Sequence, residues 1–464
     1  MSILQQEPIA ALATAPGIGA IAVLRVSGAG AIELTNRIFR GKDLTRQPSH
    51  TAHFGTIRDG EIIVDEVLAT VFRSPASFTR EDVVEISCHG SEYIIRQILR
   101  LLLREGARMA QPGEFTQRAF LNGQFDLVQA EAVADLIAAD SEATHRAALT
   151  QLRGGFSKQL KALRQQLIDF AALIELELDF GEEDVEFAKR DQLRAVIFDI
   201  QRVLRPLIES FSVGNAIKNG IPTVIAGRPN AGKSTLLNAL LNEEKAIVSD
   251  IPGTTRDVIE DELFIDGIRF RLIDTAGLRH TTDTIEAIGV ERTQQKMREA
   301  ALIVYLFDGG AISADEFTAA LAELRSYEKP YVLVGNKLDT TTAQQRQRLE
   351  ALAEENIVWI TARNNELETG THIDELRQAL AQRVKTDRSV STGSAVVTNL
   401  RHYEHLTATE SALARVLTGL DAGVTPDWLA MDLRDALRHL GELTGEIVTD
   451  DILGAIFSKF CIGK

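Results

Sequence analysis

A glycine-rich segment at residues 227–234 has the pattern of a phosphate-binding loop. It reads GRPNAGKS, with an apolar strand-like run before it and the helical stretch TLLNALL after it. Glycines let successive backbone N–H groups curl around a phosphate, and the positive end of the following helix adds to the attraction. In this pattern Lys233 contacts the β- and γ-phosphates and the Ser234 hydroxyl ligates Mg²⁺. The segment predicts a nucleoside triphosphate site.

Three further motifs follow strand-like runs downstream of this loop. Asp274–Gly277 reads DTAG, which predicts an aspartate on the Mg²⁺ side and a glycine N–H that senses the γ-phosphate. Asn336–Asp339 reads NKLD, and its carboxylate can accept from both the N1–H and the exocyclic amine of guanine. Adenine has no N1–H, so this pairing selects guanine. Thr361–Arg363 fits the loop that contacts the guanine O6 through backbone N–H groups.

The segment Gly253–Asp257 reads GTTRD and lies where a switch loop must cover the nucleotide. Thr255 is the expected second Mg²⁺ ligand, made and lost with the γ-phosphate. Position 278 is Leu, which cannot polarise water, so the catalytic polar group must come from elsewhere. The amide oxygen of Asn230 offers a monovalent cation a ligand at the phosphates. Together the motifs predict a translation-factor-like GTPase.

Alternating strands and helices between residues 216 and 385 position these motifs. Such alternation predicts a doubly wound, mostly parallel sheet. The expected strands are Ile221–Ala226, Phe270–Ile273, Ala301–Phe307, Tyr331–Val334 and Ile357–Ile360.

The rest of the chain shows two other sequence patterns. Residues 1–120 carry β-like runs (Ala20–Val26, Ile62–Phe72, Asp82–Ser87) and an apolar helix near Tyr93–Leu103, which predicts an α+β domain. Residues 121–215 and 386–464 are helical, so we expect one discontinuous helical domain with the GTPase domain inserted. The apolar stripes that predict its buried helix seam are Phe156, Leu160, Leu163, Leu167, Phe170 and Ile174, and Leu429, Leu433, Ala436 and Leu440. The predicted fold class is therefore multidomain α/β and α.

Composition limits the class of protein. The 464 residues include 50 Lys and Arg against 66 Asp and Glu, a formal net charge of −16, which argues against coating nucleic acid through bulk positive charge. No apolar run reaches the ~20 residues that span a bilayer. Two cysteines, Cys88 and Cys461, do not make a disulfide framework. We expect a soluble, cytoplasmic protein in a reducing compartment.

The whole sequence resembles the MnmE (TrmE) family of tRNA-modifying GTPases. The resemblance rests on GRPNAGKST, IPGTTRD and DTAGLR, on LRVSG (24–28), SFTREDVVEISCHG (77–90) and QPGEFTQRAFLNG (111–123), and on the C-terminal FCIGK. It implies a homodimer with an N-terminal folate-binding and dimerisation domain. It also implies a heterotetramer with the FAD- and NADH-dependent MnmG protein. Together they would add a carboxymethylaminomethyl or aminomethyl group to the wobble uridine of certain tRNAs, using a tetrahydrofolate derivative (5-formyl or 5,10-methylene).

The resemblance also implies roles for individual residues around GTP. Ser234 and Thr255 would hold Mg²⁺, and Asn230, Ser249, Ile251 and Thr254 would hold K⁺. Glu286 would be the catalytic acid, although by itself it reads as an ordinary glutamate near a helix N-terminus. Lys233 and Cys461 are the other catalytic candidates. The implied GTP-binding residues are Asn230, Ala231, Gly232, Lys233, Ser234, Thr235, Ser249, Asp250, Ile251, Pro252, Gly253, Thr254, Thr255, Asp274, Thr275, Ala276, Gly277, Asn336, Lys337, Asp339, Thr361, Ala362 and Arg363.

The implied folate site uses Arg25 for the folate carboxylates and Glu85 for the pterin, with Lys464 at the C-terminus. Gln124 stands where some members have a basic residue, so that contact has no charge here. Arg25 and Glu85 also read as ordinary strand-end charges. Cys461 has three readings: a buried apolar residue, a prenylation box that the terminal lysine disfavours, or a thiol near the folate.

Two other functions compete with a GTPase that drives tRNA modification. One is a switch protein that binds ribosomes or RNA, although the chain has no G-x-x-G loop in a KH context and no basic stripe. The other is a folate enzyme with a regulatory GTPase part.

Overall fold

The computed structural model describes residues 7–179, 190–242, 261–266, 268–273, 294–362, 370–386, 396–458, 460 and 462–463. The first unit comprises Met1–Ala138, Ala148–Pro206 and Glu404–Lys464, and the second unit comprises Ala139–Ala147 and Leu207–Tyr403. Among the described residues, no helix has the length and apolar character that a membrane span requires. The domain limits predicted at residues 120, 215 and 385 stay predictions.

A mixed sheet forms the N-terminal part of the first unit. Its strands are β1 (Ile9–Leu12), β2 (Gly19–Ser27), β3 (Phe39–Arg40), β4 (Thr51–Asp59), β5 (Ile62–Phe72), β6 (Val83–Gly90) and β7 (Arg108–Met109). Their order is β3-β4-β5-β6-β2-β1-β7. Neighbours pair antiparallel except β1 and β7, which pair parallel. The strand runs predicted from the sequence in this region are confirmed.

Helices cover one face of this sheet. Every second residue of its strands is apolar, and these side chains all point to that face. In β2 the inward residues Ala22, Leu24 and Val26 join a buried core with side chains of α1 (Ala31–Ile38) and α2 (Glu92–Arg104). The α2 stripe Ile95–Ile98–Leu101–Leu102 is buried, as the helical spacing of this segment predicts. The helices α3 (Glu114–Leu121), α4 (Leu127–Ile137) and α5 (Glu142–Leu152) follow in the chain.

The predicted helix seam is present in the first unit. It joins α6 (Ser157–Asp179) to the later helix α13 (Pro426–Thr444). Leu160, Leu167 and Ile174, seven residues apart, are fully buried, and so are Leu433 and Leu440 on α13. The other long helices are α7 (Arg190–Asn219) and α12 (Leu400–Ala422), and the short helix α14 (Asp450–Phe457) precedes the C-terminus.

The second unit contains the predicted doubly wound sheet. Its strands are β8 (Ile221–Ala226), β9 (Asp261–Ile265), β10 (Ile268–Leu272), β11 (Leu302–Asp308), β12 (Tyr331–Asn336) and β13 (Ile357–Trp359), in the order β13-β12-β11-β8-β10-β9. All neighbours are parallel except β9 and β10. The intervening helices are α8 (Lys233–Asn242), α9 (Ala314–Ser326), α10 (Ala343–Ala353) and α11 (Gly370–Thr386), and apolar cores lie on both faces of the sheet. The predicted fold class is confirmed.

Leu440 offers a test of the seam between α6 and α13. Truncating it to alanine removes a fully buried side chain, which costs about 3 kcal/mol and lowers the thermal unfolding midpoint by about 5–10 °C. The control is Met431→Ala on the same helix, where the side chain is half exposed and the midpoint should change by less than about 2 °C. Circular dichroism measures the two unfolding midpoints. Equal midpoints for the two variants would contradict a buried seam.

Candidate functional site

The glycine-rich loop leaves β8 and leads directly into α8. Gly232 has a φ of +99°, and a Cβ at this position would come within 2.3 Å of the Asn336 side-chain nitrogen. Only glycine tolerates both the left-handed backbone and the close approach. Asn230 also has a positive φ, +63°, a conformation that asparagine adopts more readily than most residues. The loop is thus held in the curled form that a phosphate-binding loop needs.

Lys233, the first residue of α8, directs its ammonium back toward the loop. Its Nζ donates to the carbonyl oxygens of Gly227 (2.7 Å) and Arg228 (2.9 Å). Burial lowers the pKa of the lysine. A desolvated cation next to curled backbone N–H groups favours an anionic ligand, because a phosphate replaces the water that the ammonium has lost.

Asn336, at the end of β12, connects the loop to the motifs that follow the neighbouring strands. Its amide nitrogen donates to the Ala231 carbonyl at 2.7 Å, while its amide oxygen accepts from the backbone N–H of Lys337 (2.8 Å) and Ala362 (3.1 Å). The side chain is only 3% exposed. One buried amide therefore brings the phosphate loop, the NKLD segment and residues Thr361–Ala362 together.

The turn after β12 leaves Asp339 exposed at the surface beside this bridge. Lys337 has a φ of +60°, and its ammonium pairs with the Asp308 carboxylate at 2.7 Å. Its carbonyl accepts from the Thr341 hydroxyl at 2.9 Å. These contacts hold the turn with its carboxylate facing solvent, where a base can pair with it. Asp308 was missed by the sequence analysis, although an acidic residue that ends a buried strand is a signal for it.

In the first unit, Arg25 and Glu85 lie directly opposite each other on β2 and β6. The Arg25 guanidinium donates to one Glu85 oxygen from Nε (2.9 Å) and Nη2 (2.7 Å). It also stands over the rings of Phe78 and Phe115, 5.8 and 5.7 Å from their centres. The two predicted folate residues are thus neighbours. The aromatic rings beside them were not anticipated, because Phe115 comes from a helix whose docking the sequence does not reveal.

Gln124 and the tail residue Gly463 lie in segments that contact the surroundings of this pair. Gln124 is exposed, and the next residue, Phe125, packs its ring 5.9 Å from that of Phe78. Near the C-terminus, Gly463 has a φ of +97° and a Cβ there would lie 2.1 Å from the Leu12 carbonyl. Leu12 is adjacent to the residue of β1 that pairs with Arg25. The C-terminal tail therefore contacts the strand next to Arg25.

Some predicted site residues lie outside the described part of the chain, and their roles stay predictions. They are Ser249, Asp250, Ile251, Pro252, Gly253, Thr254, Thr255, Asp274, Thr275, Ala276, Gly277, Glu286, Arg363, Cys461 and Lys464. The described site residues are those of the phosphate loop, the NKLD segment, Thr361 and Ala362, together with Arg25, Glu85 and Gln124.

The curled loop, its inward lysine and the NKLD turn on a doubly wound sheet define a GTPase-type P-loop domain. The family model of the MnmE helical domain matches residues 127–461, and that of the N-terminus of the GTP-binding protein TrmE matches residues 8–124. The chain belongs to the MnmE family, as its motifs predict.

Three relatives, each named tRNA modification GTPase MnmE, match the chain along nearly its whole length. The protein of Cytophaga hutchinsonii is 56% identical, over 99% of this chain and 98% of the relative. That of Bacteroides fragilis is 51% identical over 99% and 100%. That of Flavobacterium johnsoniae is 50% identical over 100% of both chains.

Asn336→Ala tests the bridge between the loops. The variant leaves the Ala231 carbonyl and two backbone N–H groups without their partner, so guanine nucleotide affinity should fall by about tenfold or more. Calorimetry with GDP measures the change. Asn356→Ala, at an exposed position of the same unit, is the matched control and should bind GDP like the unaltered chain. Equal GDP affinities for the two variants would show that the bridge does not shape the site.

Proposed function

We propose that this chain is a potassium-activated GTPase that drives modification of the wobble uridine in certain tRNAs. With MnmG, the flavin- and NADH-dependent partner, it would add a carboxymethylaminomethyl or aminomethyl group, with a tetrahydrofolate derivative supplying the one-carbon unit. The Asn336 bridge is the observation that carries the nucleotide part, since it makes phosphate loop and base-reading turn one site. The tRNA part follows from the family and from the names of its members.

The described residues fit GTP at both of its ends. Lys233 and the loop at Ala231–Gly232 would present a half-buried cation and curled backbone to the phosphates. Asp339 presents an exposed carboxylate to the base, and pairing with guanine N1–H and the exocyclic amine discriminates against adenine. Lys337 supports this turn through its pairing with Asp308.

Two cations complete the proposed nucleotide site. Ser234 and Thr255 would hold Mg²⁺, and Asn230 would hold K⁺ together with Ser249, Ile251 and Thr254. The support is the placement of Asn230 in the loop, where its left-handed backbone leaves the side chain exposed. Bound K⁺ would supply the positive charge that an arginine finger supplies in other GTPases. Glu286 is proposed to orient the attacking water because Leu278 cannot.

The Arg25–Glu85 pair and its aromatic neighbours support a folate site. The Arg25 guanidinium would meet the charged glutamyl tail and the Glu85 carboxylate the hydrogen-bonding pterin, while the partly exposed Phe78 offers flat apolar surface to the ring system. Phe115 is fully buried and supports the guanidinium from the core side. We propose that Gln124, Cys461 and Lys464 contribute from the adjacent loop and tail, as supported by the contact of Gly463 with β1.

The same face of the sheet supports pairing of two copies. Strand register places Phe54, Leu68 and Ser87 in a row, next to the row that contains Glu85 and Arg25. Phe54 is 69% exposed and Leu68 is 42% exposed, an unusual placement for large apolar side chains. We propose that a second copy covers this face in a homodimer and that the dimer joins MnmG in a heterotetramer.

Hydrolysis of GTP should be faster in K⁺ than in Na⁺ at matched ionic strength, by about tenfold or more. The reason is that a site shaped for K⁺ holds the smaller ion poorly. Asn230→Gly keeps the left-handed backbone of the loop while removing the amide, so its rate should be slow and equal in both salts. Single-turnover phosphate release measures these rates.

Two further results distinguish the role of K⁺ in hydrolysis from that of Glu286. Glu286→Gln should hydrolyse GTP at least about a hundredfold more slowly while binding GTP normally. Equal rates in K⁺ and Na⁺ for the unaltered chain would eliminate the potassium assignment without affecting the assignment of Glu286.

Reconstitution tests the complete function. Unmodified tRNA, this chain, FAD-loaded MnmG, NADH, GTP, K⁺, methylene-tetrahydrofolate and a nitrogen donor should yield modified wobble uridine, detected by mass spectrometry of the nucleosides. The nitrogen donor is ammonium for the aminomethyl group and glycine for the carboxymethylaminomethyl group. Arg25→Met should abolish the product and weaken folate binding by about tenfold or more, because the charged contact of Arg25 with the folate is lost. GTP hydrolysis should stay normal, because Arg25 lies in the first unit and the nucleotide site lies in the second.

The control for this assay is Arg96→Met on the exposed side of α2, which should leave product formation unchanged. Product formation by the Arg25 variant at the normal rate would remove Arg25 from the folate site. A complete mixture that hydrolyses GTP but leaves the tRNA unmodified would refute the modification function.

A further inference from the structure

A cluster of two histidines and a glutamate connects two helices of the first unit. His405 lies in α12, and His439 and Glu442 lie one helical turn apart on α13. The three side chains are half buried. None of them belongs to the nucleotide or folate proposals.

The ligand atoms of this cluster form a nearly equilateral triangle. His405 Nδ1 and His439 Nδ1 are 3.4 Å apart, and Glu442 Oε2 lies 3.6 Å from the first and 3.7 Å from the second. The centre of this triangle lies about 2.1 Å from each of the three atoms, which matches the Zn–N and Zn–O bond lengths found in proteins. The three atoms are therefore already spaced for one metal ion.

The helices hold these ligands on rigid backbone. His405 is followed by Leu406 and Thr409, both fully buried, and the residues Leu440 and Leu443 of α13 are also fully buried. A second link holds the two helices together, since Arg415 of α12 donates to Asp432 and Asp435 of α13, each at 2.7 Å. A site on two packed helices needs little rearrangement to accept an ion.

Charged neighbours decide how tightly an ion is held. Arg438 Nη2 donates to His439 Nε2 at 3.0 Å, and its Nη1 lies 3.2 Å from Glu442 Oε1. When a metal occupies Nδ1, Nε2 carries the proton and must donate, so this arginine contact is replaced by one to the Asp435 carboxylate, 3.6 Å from Nε2. Burial, followed by the charge of Arg438, lowers the pKa of His439.

We propose that His405, His439 and Glu442 bind a zinc-class divalent ion that clamps α12 to α13. Two imidazoles and one carboxylate are a zinc ligand set that leaves a fourth position open for water or another ligand. Without an ion the same groups form a hydrogen-bonded polar cluster around Arg438. A metal site and a purely hydrogen-bonded cluster differ in one measurable way: only the metal site binds a divalent ion through these three side chains.

Titration of the full chain with Co²⁺ tests the proposal, because tetrahedral Co²⁺ absorbs visible light and reports its ligands. Excess Mg²⁺ and GDP keep the nucleotide site occupied during the titration. One Co²⁺ per chain should bind, without the thiolate charge-transfer band that binding at a cysteine would produce, and Zn²⁺ should displace it. His405→Gln and Glu442→Gln should each weaken binding by at least about a hundredfold, since loss of an outer-shell partner alone already costs 10–100-fold.

Two control variants make the result specific. His372→Gln alters a similar histidine–glutamate pair, one turn apart on α11, whose Nδ1–Oε2 distance is 3.9 Å; Co²⁺ affinity should be unchanged. Arg438→Met removes the competing donor and its positive charge, so affinity should rise by about tenfold.

Zn²⁺ should also raise the thermal unfolding midpoint of the unaltered chain and not that of Glu442→Gln, because a ligand stabilises the state that binds it. The proposal is overturned if the unaltered chain binds no Co²⁺, if a thiolate band appears, or if Co²⁺ affinity is equal in the unaltered chain and Glu442→Gln. Should His405→Gln fail to fold, Glu442→Gln and Arg438→Met still decide the question, since they predict opposite changes.

Discussion

The nucleotide-binding half of this protein depends on one buried amide. The Asn336 side chain makes three hydrogen bonds to backbone groups. Its amide nitrogen donates to the Ala231 carbonyl of the phosphate loop, and its amide oxygen accepts from the N–H groups of Lys337 and Ala362, which follow β12 and β13. A buried amide is costly unless it is paired, so the three segments cannot move apart without leaving polar groups unsatisfied. The approach of this side chain also explains the need for glycine at 232, since any Cβ there would displace it. The phosphate loop and the NKLD turn are therefore shaped together.

A different constraint, strand register, organises the N-terminal part of the first unit. Because Arg25 is opposite Glu85 on the face of the sheet away from the core, the pair stands beside Phe78 and Phe115 and next to a row of exposed apolar side chains. A shift of one residue in a strand would turn its contributions to the pair and to the apolar row to the opposite face. The proposed folate site and the proposed dimer face thus share one structural cause.

The helices of the first unit combine an apolar seam with polar links. Leu160, Leu167 and Ile174 repeat every seven residues along α6 and are buried in the seam with α13. A second, polar stripe of α13 carries charged groups that pair with α12, including the His405–His439–Glu442 cluster. One helix therefore uses its apolar stripe for stability and its polar stripe for a site of distinct chemistry.

The sequence by itself determined the fold class, the strand runs named from it, the apolar helix stripes and the family, because each is encoded in local patterns: period-two and heptad spacing, and the glycine-lysine loop between a strand and a helix. The short strands β1, β3 and β7, and the strands β4 and β9, were recognised only in the structure. The order of motifs also brought Asn336 into the nucleotide site. Its role as a bridge to Ala231 and Ala362 depended on tertiary structure, since the three residues are far apart in the chain and meet only where parallel strands end side by side. For the same reason, spacing alone did not reveal the rings around Arg25, the pairing of Lys337 with Asp308, or the approach of His405 to His439. Such contacts arise from how elements pack against one another, and packing is set by the whole fold rather than by any segment of it.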